Sequence, residues 1–469
     1  MERIVIFGAT GDLTARYLLP ALARLYEEGK LPGDIKITGV DRKEWKDNGE
    51  GFRAYVLDSL KTHAGNVSDA TRTRMADQVL GYRTADVTDA RNVISALQPL
   101  DRPILAYLAL PPAVFVPTIE ALKAANLPDG SRVAIEKPFG ENLESAQMLN
   151  RMLHGFLPEK DIFRVDHFLA WQPFPTIMGL RFANGIFEPL WDRNYIERVE
   201  IHWEETLALE GRAGYFDRAG AYKDLIQNHL MQLLCLTAME APTELHRRNL
   251  RDRKVDLLRS IRPLTPEEAQ VHTIRARYGA GMVEERSIPA YEDEEGVDPD
   301  RETETFAQVT FMIDNLRWAG VPFVLRSGKA LSRFRGEISV HFKPVPHLAF
   351  QRAGQPHPNV LRVQLAPDKV SLNLNVNGPY DPFDLDQIEL SAGFAPREFF
   401  SAYVRVFEDL LEGNTTLFVR GDEAEEAWRV SEPILDAWRS GQVPLREYPA
   451  GSDGPDEAAL TPASGVESG

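Results

Sequence analysis

The chain opens on a continuous apolar run, Ile4-Val5-Ile6-Phe7. A run without polar alternation predicts a parallel strand covered on both faces. Gly8-Ala9-Thr10-Gly11-Asp12-Leu13 follows at once, and Leu18, Leu19, Leu22 and Leu25 then recur at helical spacing over residues 15–28. The rhythm repeats. Apolar runs at 35–40, 79–83, 103–110, 131–135 and 162–165 alternate with helical patterns at 52–63, 69–78, 91–97 and 116–125. Strands alternating with helices in this way predict right-handed βαβ units in a parallel sheet. Beyond residue 166 the pattern changes. Residues 198–205, 337–342, 361–365 and 370–376 alternate polar and apolar, as half-exposed antiparallel strands do.

These patterns predict two domains. Residues 1–166 read as an α/β, Rossmann-like dinucleotide-binding domain. Residues 167–449 read as an α+β substrate and oligomerisation domain with a large, mostly antiparallel sheet. The acidic stretch 292–300 reads as a solvated loop. Residues 450–469, rich in Gly, Ser, Asp, Glu and Pro, read as a disordered tail.

One stretch, 223–236, breaks the apolar rule. It has no Gly or Pro, and Leu225, Met231, Leu233, Leu234 and Leu236 predict a helix buried on most sides. Yet Asp224, Gln227, Asn228 and His229 crowd one turn and a half. Unpaired buried polar groups cost about 1–3 kcal/mol each. This turn therefore reads as the lining of a wet cleft, with His229 the side chain able to take a proton near neutral pH. The plainer reading is a satisfied core histidine. Asp224 precedes His229 by five residues, about 140° around an ideal α-helix, which argues against their pairing.

In parallel sheets ligands lie at the carboxyl ends of strands. Gly8, Thr10, Gly11, Asp12 and Leu13 form a strand–turn–helix junction whose backbone N–H groups can hold a pyrophosphate. The pattern is G-x-x-G rather than the full G-x-G-x-x-G. The second strand ends in Asp41-Arg42; an acid there favours a free ribose 2′-hydroxyl and an arginine a 2′-phosphate, so the pair does not choose between NAD and NADP. Asp86-Val87, Lys137 and Asp166-His167 stand at further strand ends.

Composition narrows the classes. With 70 acidic against 53 basic side chains, the net charge is −17. That argues against nucleic acid or an anionic membrane as partner. The single cysteine, Cys235, precludes an internal disulfide and fits a cytoplasmic setting. No run is long enough to span a bilayer, and no metal-ligand spacing is evident, so no metal is expected.

From the first strand to about residue 448, the chain resembles the glucose-6-phosphate dehydrogenase family. Gly8 to Leu13, Glu136-Lys137-Pro138-Phe139-Gly140, Arg164-Val165-Asp166-His167, the 210–217 segment, 224–240, Ile313-Asp314-Asn315-Leu316-Arg317-Trp318 and Leu325-Arg326-Ser327-Gly328-Lys329 carry the resemblance in order. It implies oxidation of a hexose at C1 to a lactone, with hydride passing to NADP or NAD. On that reading His229 is the general base and Asp166 the carboxylate that orients it. Glu205, Asp224 and Lys329 hold the sugar, and Lys137 stands where sugar and nicotinamide meet. Gly8, Thr10, Gly11, Asp12, Leu13, Asp41, Arg42, Asp86 and Val87 belong to the cofactor site. Homodimers or homotetramers are implied. The resemblance breaks at the phosphate pocket. His167 is kept, but Phe168 replaces a tyrosine, Trp171 a lysine, and Phe334 a second basic residue. Tyr17 stands where the family often has a lysine. The alternative is therefore the same chemistry on an unphosphorylated or C6-modified hexose. A non-catalytic sugar- or cofactor-binding relative is disfavoured, because it has no need of the proton-transfer pair.

Overall fold

The computed structural model describes residues 3–32, 34–45, 50–171, 174–211, 213–350, 356–393 and 402–456. They form two compact units.

The first unit holds the residues up to 171 together with 242–252 and 402–425. Its six strands are β1 (Arg3–Phe7), β2 (Lys36–Asp41), β3 (Leu80–Thr84), β4 (Ile104–Leu108), β5 (Arg132–Glu136) and β6 (Ile162–Val165). They lie in the order β3-β2-β1-β4-β5-β6, every neighbouring pair parallel. The reversal of order at β1 opens a crevice at the carboxyl ends of the strands. The helix Leu19–Glu27 buries Leu19, Leu22 and Leu25, and β4 is buried along its whole length. One contribution was not expected from the pattern. The helix Ala402–Glu412, far along the chain, adds Tyr403, Val404, Phe407 and Leu410 to the same core as Ile4, Ile6, Leu22 and Tyr107. Burying each such aliphatic or aromatic side chain stabilises by about 1.5–3 kcal/mol. The first unit is thus discontinuous in sequence, not a simple stretch ending at 166.

The second unit is built on a nine-stranded sheet, accompanied by a hairpin of β9 (Gly281–Val283) and β10 (Arg286–Ile288). The sheet strands are β7 (Ile196–Glu204), β8 (Thr273–Gly279), β11 (Phe306–Met312), β12 (Pro322–Gly328), β13 (Arg335–Phe342), β14 (Val360–Leu365), β15 (Asp368–Asn377), β16 (Leu385–Gly393) and β17 (Leu445–Pro449). Their order is β16-β15-β14-β13-β7-β12-β11-β8-β17. Pairing is antiparallel except β7 with β12 and β8 with β17.

The alternating pattern of β7 predicted one exposed face, and the structure differs. Glu200, His202 and Glu204 are all buried. Long side chains of β7 itself and of the neighbouring strands β12 and β13 cover them. Arg198 donates to Glu200 at 2.8 Å, and His341 and His202 approach Glu200 at 3.1 and 3.4 Å. Arg326 reaches Glu204 at 2.6 Å. Burial works to raise the Glu200 carboxyl, but the two histidines outweigh it and hold it well below the ordinary range.

The tail also begins later than expected. Gly451 N donates to Ala330 O at 2.7 Å, and Ser332 N to Ser452 O at 2.8 Å, so the chain stays packed past residue 450. The rest of that segment, from 457, lies outside the described residues. The 292–300 segment is not simply solvated either. Tyr291 beside it is buried and donates to the buried Asp217 at 2.9 Å, and Asp298 N donates to the same carboxylate at 3.1 Å.

Candidate active site

At the head of the first unit, Gly8 has φ +84°, and a Cβ there would stand 2.0 Å from Ala109 O. Only glycine fits this turn. Gly8 N donates to Val40 O at 2.9 Å, and Thr14 Oγ1 closes the turn on Gly8 O at 2.8 Å. The chain then enters helical geometry at Leu13. A bare backbone turn leading into a helix is what an anionic pyrophosphate needs.

Asp41, at the end of β2, is not free to serve only a ribose. Its Oδ2 accepts from Thr10 N at 3.0 Å and from Thr10 Oγ1 at 2.8 Å, and its Oδ1 accepts from Arg42 N at 2.7 Å. The carboxylate braces the glycine turn, while the Arg42 side chain is exposed beside it. Asp86 likewise turns inward on its own loop, accepting from Thr88 N and Oγ1 at 2.9 and 2.7 Å. Those bonds lower its carboxyl below the ordinary value. Val87 O follows it, with Thr118 Oγ1 at 3.4 Å. Asp12 is exposed, 3.6 Å from Arg16.

The strand ends of β5 and β6 carry the next group. Asp166 is buried and caps the short helix His167–Ala170 by accepting from Phe168 N at 3.0 Å. Glu136, immediately before Lys137, is buried too. Tyr107 Oη donates to it at 2.5 Å, and the Tyr403 phenol also bonds to it. Burial pushes the Glu136 carboxyl up to about 7; the two phenols and Lys137 oppose that push, and Asp166 adds to it. The Tyr403 ring in turn stacks on His167, centroids 5.6 Å apart and planes at 18°. Phe168 meets Trp171 edge-on at 6.0 Å.

In the second unit, Tyr222–Leu230 forms a helix of π geometry that continues into the α-helix Met231–Ala238. The i→i+5 pairing of a π-helix brings residues five apart over one another. Asn228 Nδ2 accordingly donates to Lys223 O at 2.8 Å. The ideal-helix argument that kept Asp224 and His229 apart therefore does not hold for this stretch. What Asp224 does bond is the phenol of Tyr215, whose pKa is raised by burial and by that carboxylate. His229 is wholly buried.

Glu205, Asp224 and Lys329 meet in one cavity of about 120 Å³, walled by Leu207, Tyr215 and Phe216. Lys329 Nζ lies 2.5 Å from Glu205 Oε2 and 5.2 Å from the centre of the Phe216 ring. The backbone fixes this pair: Glu205 N donates to Gly328 O at 2.8 Å, and Leu331 N to Glu205 O at 3.0 Å. His229, further along the helix, does not line the cavity. Two carboxylates and an ammonium around a small polar space suit the hydroxyls of a sugar.

Family models match both halves of the chain: the NAD binding domain of glucose-6-phosphate dehydrogenase over residues 5–173, and its C-terminal domain over 178–465. The chain belongs to the glucose-6-phosphate dehydrogenase family. It is 38% identical to the glucose-6-phosphate 1-dehydrogenase of Treponema pallidum, across 97% of this chain and 92% of that protein. With the enzyme of that name from Mycolicibacterium smegmatis it shares 39% identity, across 97% and 94%. A crystal structure of the Mycobacterium avium glucose-6-phosphate 1-dehydrogenase superposes with a TM-score of 0.84 at 35% identity, covering 97% of this chain and 96% of that one. A glucose-6-phosphate dehydrogenase solved in complex with its substrate glucose-6-phosphate gives 0.87 at 31% identity, with the same coverage.

Family membership bears out the expected fold class and the dinucleotide-binding domain. Gly8, Thr10, Gly11, Asp12, Leu13, Asp41, Arg42, Asp86, Val87, Lys137, Asp166, His167 and Trp171 lie in the first unit, and Glu205, Asp224, His229 and Lys329 in the second. Sequence reasoning missed Glu136, Tyr107 and Tyr403 as a buried hydrogen-bonded group, and Tyr215 as the partner of Asp224. Glu136 had a signal, its place at a strand end beside Lys137. Tyr403 had none, because nothing local ties residue 403 to β5.

Proposed function

We propose that this chain oxidises glucose 6-phosphate at C1 to the lactone, with NADP or NAD taking the hydride. The observation that carries this reading is the full-length likeness to the dehydrogenase solved with glucose-6-phosphate. The Glu205–Asp224–Lys329 cavity supports it from the chain's own side chains.

The reaction removes the C1 hydrogen as hydride and the O1 hydrogen as a proton. The bound nicotinamide cofactor supplies the hydride acceptor. His229 takes the O1 proton as a neutral imidazole, and the deprotonated oxygen relieves the positive charge that hydride loss develops at C1. The family resemblance gives Asp166 the role of the carboxylate that favours a charged imidazole. Glu205 and Asp224 accept hydrogen bonds from sugar hydroxyls, and Lys329 adds a charged donor. Gly8, Gly11 and the helix start behind them hold the pyrophosphate. Because Asp41 is committed to Thr10, Arg42 is the side chain at the end of β2 able to meet a 2′-phosphate, which favours NADP while leaving NAD possible.

The reading of an unphosphorylated substrate is not favoured. Phe334 stays partly exposed and sets its ring edge-on to Trp203 at 5.3 Å. His167 is kept beside Phe168 and Trp171. A homo-oligomer and a cytoplasmic setting complete the proposal; among the described residues no helix is long and apolar enough to cross a membrane.

The test is reduction of NADP+ and NAD+ followed by absorbance, with glucose 6-phosphate and with glucose. Turnover of the 6-phosphate at well over a hundred times the glucose rate is expected. Equal or better turnover of glucose would reinstate the unphosphorylated substrate.

A further inference from the structure

The residues that face the sugar cavity stand on separate elements, and a three-residue segment outside the cavity ties those elements together. Asp224 sits on the π-helical stretch, and Lys329 follows β12. Between them runs Thr303-Glu304-Thr305. Glu304 is buried, with its main-chain carbonyl accepting from Ala221 N at 3.0 Å and its Oε1 from Tyr222 N at 3.0 Å. These two N–H groups open the helix that carries Asp224 and His229, and such groups have no partner within the helix itself. Gly220 makes the approach possible. It has φ +67°, and a Cβ there would fall 2.3 Å from Glu304 Oε1. Thr303 Oγ1 donates to Asp217 O at 2.7 Å. On the other side, Thr305 O accepts from Lys329 N at 3.0 Å, and Tyr448 Oη donates to Lys329 O at 2.6 Å while lying 2.9 Å from Thr305 Oγ1.

We propose that Glu304 is a positioning residue for the hexose site: it seats the first turn of the Asp224–His229 helix against the segment that also holds Lys329. The proposal rests on the function given above. It assigns Glu304 no contact with substrate. A displacement of about 1 Å in a reacting group costs on the order of 100-fold in rate, so losing this seat should tell on the sugar and not on the cofactor. The carboxyl is not there for want of a neutral alternative. Burial pushes it up to about 7, against the pull of Arg275 and Lys223, with Tyr222 and Tyr291 as its other titratable neighbours. The acceptor on Tyr222 N is what a replacement must keep.

The experiment compares wild type, Glu304→Ala, Glu304→Gln and Gly220→Ala, with kinetics in both substrates and amide hydrogen exchange over 221–229 and at 329. Glu304→Ala should lower kcat/KM for glucose 6-phosphate about 10- to 100-fold, leave KM for NADP+ within twofold, and speed exchange in both segments. Glu304→Gln should restore the sugar kcat/KM to within about fivefold of wild type, since its amide oxygen still accepts from Tyr222 N. Gly220→Ala, which crowds the carboxyl off that N–H, should reproduce the loss and decides the matter should Glu304→Ala not fold. Sugar kinetics within threefold of wild type in a folded Glu304→Ala or in Gly220→Ala would overturn the proposal, as would an equal rise in both KM values. A wild type that turns over no hexose would defeat the proposed function instead; unchanged exchange at 221–229 and 329 in the variants would then still defeat the seat.

Discussion

The two units bury the same chemical group in opposite ways. Glu136 in the first and Glu304 in the second are both enclosed carboxyls pushed up to about 7 by burial. Glu136 ends a strand, stands next to Lys137, and is held by two phenols. Glu304 lies in a connection, touches no predicted site residue, and is held by helix-start N–H groups. In the first unit, chemistry sits where a parallel sheet always presents it, at the strand ends. In the second, the site is assembled from a π-helical turn, a strand end and a loop that are remote in sequence.

The largest effect that sharpens this contrast is at His229. His229→Asn should lower kcat by about 10²- to 10⁴-fold and leave NADP+ affinity unchanged by fluorescence titration. A loss of cofactor affinity equal to the loss of kcat would break the division of labour.

The buried carboxyls come next, through pH. A carboxyl raised from 4.5 to about 7 favours the fold fully below pH 4.5 and loses that advantage as pH rises to about 7. Glu136→Gln and Glu304→Gln have no such titration. Relative to wild type, each should therefore gain stability between pH 4.5 and 7 and hold the gain above it, on the order of 3 kcal/mol by denaturant unfolding. A flat difference across that range would show that the two carboxyls titrate normally.

A smaller effect is expected at Asp41. Asp41→Ala removes both bonds from Thr10 and should raise the KM for cofactor about tenfold, with about 1.5–3 kcal/mol of stability lost, while the KM for glucose 6-phosphate stays within twofold. Tyr403→Phe is the smallest, about 1–3 kcal/mol from one donor withdrawn from Glu136, read as a lower midpoint in urea.

These contrasts follow what the sequence makes legible. The glycine turn, Asp41, Lys137 and Asp166 could be found because each is adjacent in sequence to the strand that places it. Apolar runs of four or five residues ending in polar pairs suffice for that. The brace from Asp41 to Thr10 could not be read, because it spans 31 residues and depends on β1 and β2 being neighbours. The helix around His229 was visible as polar residues in an apolar stretch, but its π geometry was not, and that geometry changes which side chains share a face. Alternation in β7 marked the strand and misjudged its burial, since it cannot reveal Arg326 and His341 arriving from neighbouring strands to join Arg198 in covering Glu200 and Glu204. The helix Ala402–Glu412 joins the first unit through core contacts and through bonds from Arg132 to Leu410 O and Leu411 O, none of them local in sequence.

The central claim is transfer of the C1 hydrogen of glucose 6-phosphate to the nicotinamide under proton transfer to His229. The most direct measurement uses glucose 6-phosphate deuterated at C1 and follows the label into the reduced cofactor by mass spectrometry. The account predicts one deuterium per reduced nicotinamide with wild type and almost no labelled product with His229→Asn in the same time. Reduced cofactor without the label, or undiminished label transfer in the variant, would contradict it.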